Sequence, residues 1–140
     1  MEDLHLSFDI VEGDMSRAGE ASSAVKQTLR KMGFDSDTIR RVSVCMYEGE
    51  INMVIHARGG VAEVDIGIDA VRITLRDVGP GIPDIEKAMQ EGFSTAGENA
   101  RGLGFGAGMG LPNMKKYSDE MTVESTVGVG TTVTMVVRTL

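Results

Sequence analysis

The chain has 140 residues, 41% hydrophobic and 25% charged, with a formal net charge of −7 and a pI near 4.8. That length supports one domain, 1–140, with a real core, and the acidic balance excludes a general nucleic-acid or anionic-membrane binder, which would need a basic face. A lone cysteine, no signal-peptide pattern and no apolar run near the ~20 residues of a membrane span make a cytoplasmic protein the expectation.

Residues 4–11, LHLSFDIV, alternate apolar and polar and predict a strand. From Ser16 to Met32 the apolar positions recur at helical spacing, and Gly33 supplies a stop. A second helix opens at Asp35-Ser36-Asp37, good N-cap chemistry, and runs to about Ala57 before the Gly59–Gly60 pair. Within it, Gly49 costs ~1 kcal/mol relative to alanine and indicates close packing against a neighbour. VAEVDIGI (61–68) and VRITLRDV (71–78) predict a hairpin, and GPGIP (79–83) a turn. A short helix follows over 84–92, with Asp84 favouring its N-terminus. Residues 93–109 show little periodicity and predict a long loop of the kind that forms functional lids. LPNMKKYSD (111–119) predicts a helix with proline near its first turn, and MTVEST and GTTVTMVV close the chain as a hairpin. This order implies an α+β two-layer sandwich, a mixed, mostly antiparallel sheet with helices on one face. Ten methionines and no tryptophan point to methionine as core filler.

Three stretches can carry chemistry. In GLGFGAGMGLP (102–112) glycines alternate up to the start of a helix, whose unpaired N–H groups form an anion site that glycine lets a phosphate approach. A flexible lid without ligand fits the same stretch. Lys115 and Lys116 add charge in the next turn or form a solvated face. On the second helix, Glu48 and Asn52 are four apart and share a face. The Asn oxygen suits Mg²⁺ and the Glu suits proton abstraction, although the spacing equally describes an exposed polar stripe. Glu50 points to a different face and is expected to be solvated. Asp77, at a strand end before Gly79 and Gly81, can accept a hydrogen bond from an exocyclic amine beside bare backbone, or belong to a plain β-turn.

Taken in order, Glu48-x-x-x-Asn52, Asp77-x-Gly79-x-Gly81, Phe93-Ser94-Thr95, Gly106-x-Gly108-x-Gly110 and Gly130-Thr131 span nearly the whole chain. This series resembles the GHKL superfamily of gyrase, histidine kinases and MutL, with the Bergerat ATP-binding fold. At this size the chain resembles the anti-sigma-factor serine/threonine kinases and the stress-response switch kinases. The resemblance implies ATP and Mg²⁺ as cofactors, Glu48 as catalytic base and Asn52 as magnesium ligand. It also implies Asp77 as the adenine contact, Gly79 and Gly81 lining the base pocket, Gly106, Gly108 and Gly110 at the phosphates, and Thr131 at the adenine edge. Gly102 and Gly104 extend the lid beyond the family pattern. A regulatory protein partner of STAS or sigma-factor type follows from the same resemblance, with room for a homodimer through the N-terminal strand and helix. The rival expectation is an ATP- or ADP-gated binding module without phosphotransfer.

Overall fold

A computed structural model describes residues 4–89 and 110–139. Five strands, β1 (Leu4–Ile10), β2 (Gly60–Ile66), β3 (Ala70–Asp77), β4 (Glu120–Thr126) and β5 (Gly130–Arg138), form one sheet in the order β1-β2-β3-β5-β4. Among the described residues the helices are α1 (Glu20–Lys31), α2 (Ser36–His56), α3 (Ile85–Ala88) and α4 (Gly110–Tyr117). The α+β sandwich stands, but the sheet is antiparallel at all four pairings rather than mixed. Two helices in succession return the chain to the end of the sheet it left, so β2 meets β1 antiparallel. The route from β3 through α4 brings β4 in beside β5 rather than beside β3, so the two strands of like direction never pair.

The register makes the core. Phe8, Ala62, Leu75, Val133 and Val123 lie opposite one another across all five strands, and Leu6, Val64, Ile73, Met135 and Met121 form the next such row. Period-two alternation puts these side chains on one face, where Val25 and Leu29 of α1, Val42 and Met46 of α2, and Leu111 and Met114 of α4 cover them. Met46, Met53, Met114 and Met135 are buried, as the composition suggested. The other face carries Glu63, Arg72, Thr74 and Arg76 and stays at least partly wet.

Helix ends follow the local chemistry. Asp35 accepts from the Thr38 N–H at 3.3 Å and the Thr38 hydroxyl at 2.5 Å, and Asp84 caps α3 through the Lys87 N–H at 3.0 Å. At the end of α1 the Gly33 and Phe34 N–H groups return to the Arg30 and Leu29 carbonyls, a Schellman closure. The start of α1 differs from expectation. Residues 15–17 form a single 3₁₀ turn, Gly19 takes φ +97°, and the α-helix begins only at Glu20.

With glycine at the cap, α1 has no capping side chain of its own. Glu50 supplies it from α2, accepting from the Ala21 N–H at 3.2 Å and the Ser22 N–H at 3.1 Å. The expectation of a solvated Glu50 is thereby corrected: the residue is 2% exposed. Its carboxylate meets two orphan donors and the positive end of a helix dipole, which offsets its desolvation. Glu50→Ala strands both amides, and the expected loss is about 2–4 kcal/mol of unfolding free energy, read from the urea midpoint. An unchanged midpoint contradicts the capping role.

Candidate functional site

The site begins with how α2 lies on the sheet. A Cβ at Gly49 would stand 2.0 Å from Leu75 Cδ1, so the helix presses its backbone onto β3 at this point. One residue of helix is about 100° of rotation. Glu48 and Glu50, on either side of the sheet-facing glycine, therefore leave α2 on opposite flanks. Glu50 goes to α1. Glu48 goes toward α4, where the Asn113 side-chain amide donates to its Oε1 at 3.4 Å.

Asn52, one turn further along the same flank, meets the first residue of α4. A Cβ on Gly110 would lie 2.8 Å from Asn52 Nδ2 and 2.9 Å from Oδ1. Only hydrogen fits there without displacing the carboxamide. The structure thus brings Glu48, Asn52 and Gly110 together. Gly106 and Gly108, with the rest of the expected lid over 93–109, lie outside the described residues. Lys115 and Lys116 occupy the last turn of α4, at the end remote from Gly110, and are exposed; the Lys116 ammonium stands 5.5 Å from the Tyr117 ring centroid. They are a solvated face.

Eight residues of helical rise, about 12 Å, separate Glu48 from the end of α2. There the Arg58 N–H donates to the Val78 carbonyl at 2.6 Å, tying the helix end to the turn after β3. Asp77, the last residue of β3, is half-buried, and its Oδ1 accepts from the Thr131 N–H at 2.9 Å. Burial pushes the Asp77 carboxyl above the usual range, and the Thr131 hydrogen bond offsets this only in part. Thr131 is buried, its hydroxyl 2.8 Å from that of Ser125.

The open faces expected at Gly79 and Gly81 are taken by the protein itself. The Cβ direction of Gly79 meets Ala57 Cα at 3.2 Å. At Gly81, with φ +76°, it meets the Thr126 carbonyl oxygen at 2.6 Å. Both glycines fold the turn onto α2 and the β4–β5 connection, and only their remaining backbone is left to line a pocket.

Two contributors gave no signal in the sequence. Ser125 accepts from the Ile82 N–H at 2.7 Å and contacts Thr131, binding the turn after β3 to the β4–β5 hairpin. Asn113 belongs to no motif and is found only because α4 packs on α2. Cys45, by contrast, is buried with its thiol pushed up to about 12 by desolvation, and its S–H points to the Met114 carbonyl. It is inert.

Chemically, the flank offers a half-buried carboxylate, a carboxamide oxygen against a helix N-terminus, and a second carboxylate at the far end beside buried backbone. No cluster of three His, Cys, Asp or Glu able to hold a metal occurs among the described residues. A hard cation at Asn52 would complete its shell with phosphate and water oxygens, the habit of Mg²⁺. The Gly110 cradle and the hard oxygen donor fit a magnesium-bound polyphosphate.

Comparisons with known proteins bear on the family and the fold. Residues 11–137 match the histidine kinase-like ATPase domain. The chain is 36% identical over 110 residues to serine/threonine-protein kinase RsbT of Bacillus subtilis, covering 76% of this chain and 77% of that one. It is 37% identical over 137 residues to anti-sigma F factor of Geobacillus kaustophilus, covering 94% and 88%. The solved structure of the RsbU and RsbW domains of Rv1364c from Mycobacterium tuberculosis matches 99% of this chain with a TM-score of 0.61 at 18% identity, a likeness of fold. This chain spans 32% of that one.

Asp77 gives a test of the site's cost. Its folded-state pKa is raised, so the ionised carboxylate weighs against folding above that pKa, and the penalty disappears as pH falls below the unfolded value. Asp77→Asn keeps an oxygen for the Thr131 N–H and sheds the charge. The variant is expected to be at least as stable as wild type at pH 7 by chemical denaturation, with any advantage shrinking toward pH 3. A wild-type advantage at pH 7 contradicts the desolvation argument.

Proposed function

The chain belongs to the histidine kinase-like ATPase domain family, and from that premise we propose that it is an ATP-dependent protein serine/threonine kinase acting on a small regulatory protein. One observation carries the reading: Glu48 and Asn52 leave the same flank of α2 and both meet α4, at Asn113 and Gly110. A relative named serine/threonine-protein kinase and relatives named anti-sigma F factor support both the activity and a regulatory partner. For the partner's finer identity the motif resemblance supports a STAS-type antagonist or a sigma factor, and the name anti-sigma F factor supports the second of these.

In this mechanism Asp77 recognises the exocyclic amine of adenine, with Thr131 at the ring edge and the backbone of Gly79 and Gly81 beneath it. Asn52 offers its Oδ1 to the metal. The first N–H groups of α4, opened by Gly110 and preceded by Gly106 and Gly108, face the phosphates. Magnesium held at Asn52 would supply neutralisation of the phosphate charge. Glu48 accepts the proton of the incoming serine or threonine hydroxyl, and Asn113 restrains its carboxylate toward α4. Most of the rate then comes from positioning and from fixed dipoles rather than from covalent chemistry.

Glu48→Gln keeps the shape and removes the base. Phosphotransfer to a STAS-domain acceptor from the same organism, followed with labelled Mg-ATP, is expected to fall by about 10²-fold or more, with nucleotide affinity within about threefold. Undiminished transfer removes Glu48 as the base. Tight nucleotide binding with no transfer by wild type to STAS-domain acceptors supports the alternative of a nucleotide-gated binding module.

A further inference from the structure

The outer faces of α1 and α2 enclose an open groove of about 460 Å³ whose wall ends at Glu48. Lys26 and Arg30, one helical turn apart on α1, face Arg40, Ser43 and Tyr47 on α2 across it. We propose that this groove seats an acidic segment of the acceptor protein and so delivers its hydroxyl to Glu48. The proposal rests on the kinase reading and names the chemistry of its protein substrate.

The charge balance is the first argument. The chain carries 21 acidic and 14 basic residues, yet the groove wall holds three cations and a single carboxylate. Several cations elsewhere are neutralised locally, Arg17, Arg41, Arg76 and Arg138 each pairing with a carboxylate. Those left single among the described residues, such as Lys31, Arg58 and Arg72, lie outside the groove. Lys26 and Arg30 are exposed and have no ion-pair partner among the described residues. Arg40 has only an exposed contact with Asp37 at 3.4 Å and lies 5.7 Å from the Tyr117 ring centroid. A patch of positive charge on an acidic protein, with two of its three cations unpaired among the described residues, steers an acidic partner and repels a basic one.

Position is the second argument. Asn52 and Gly110 occupy the flank of α2 beyond Glu48, on the side assigned to the phosphates. The groove reaches Glu48 from the other side, and an acceptor hydroxyl has to arrive opposite the leaving group for in-line transfer. Tyr47, 40% exposed beside Glu48, offers an aromatic anchor at that end. The groove is shallow and open and its cations sit on two separate helices, which suits a polypeptide surface better than a small anion. A second copy related by a two-fold axis would set the same cations against each other.

The test uses two fluorescein-labelled peptides, one with serine flanked by glutamates and aspartates, the other with lysines in place of the acids. Anisotropy is read against wild type, Lys26→Glu/Arg30→Glu, and the milder Lys26→Gln/Arg30→Gln; Mg-ATP affinity is measured in parallel by calorimetry. The acidic peptide is expected to bind wild type, to bind the double glutamate variant about tenfold more weakly or worse, and to weaken with added salt. The glutamine variant is expected to fall between, and Mg-ATP affinity to be unchanged throughout. Equal binding of the two peptides, no binding of the acidic one, or undiminished binding by both variants overturns the groove. Light scattering that shows a wild-type dimer lost in the variants also overturns it, by making the groove a contact between copies. Failure of wild type to bind Mg-ATP counts against the kinase reading itself and is read separately from the peptide result.

Discussion

The contact between the α2 backbone at Gly49 and Leu75 of β3 is the constraint on which the rest of the structure depends. Because a helix turns about 100° per residue, fixing residue 49 on the sheet fixes where 48, 50 and 52 emerge. Glu50 is carried to the bare N-terminus of α1 and holds that helix in place. Glu48 and Asn52 are carried the other way, to α4. A side chain at 49 would have to displace the buried Leu75 side chain, disturbing the contact that sets where the structural carboxylate and the proposed catalytic one emerge. One glycine thus couples the fold to the chemistry.

The same helix separates two treatments of charge. Glu50 is buried and satisfied by two backbone donors, so its carboxyl group is part of the packing. Asp77 is half-buried with one backbone donor on Oδ1, and its carboxyl is raised by desolvation. A carboxylate held in that condition weakens the fold, which is consistent with the adenine-recognising role proposed for Asp77. Cys45 shows the contrasting case, a group kept neutral by burial and used only for packing. The unpaired cations of Lys26 and Arg30 extend the same logic to the surface, where charge left without a local partner is available to an external one.

Much of this was legible in the sequence, because local chemistry decides it. Asp35, Asp84 and Gly33 end helices through hydrogen bonds within a few residues, and the alternating runs of β2, β3 and β5 follow from pleating alone. The four-residue spacing of Glu48 and Asn52 correctly placed them on one flank. What could not be read depends on distant partners. Glu50 looked solvated because its partners are 28 and 29 residues away. The wholly antiparallel sheet depends on where β4 enters, beside β5, which no local signal encodes. Gly19 read as an ordinary helical position, and its left-handed φ emerges only with the 3₁₀ turn before it. Asn113 and Ser125 are ordinary polar residues until packing brings them to Glu48 and Thr131.

The central claim is that α2 and the first turn of α4 together form a magnesium-nucleotide site, with Asn52 lodged against a glycine that admits nothing larger. Isothermal titration of Mg-ATP into Gly110→Ala measures this directly, because the nearest atoms to the added methyl are those of the Asn52 carboxamide. The account predicts a folded protein whose Mg-ATP affinity has dropped by about tenfold or more. An affinity equal to that of wild type, with the variant folded, contradicts it.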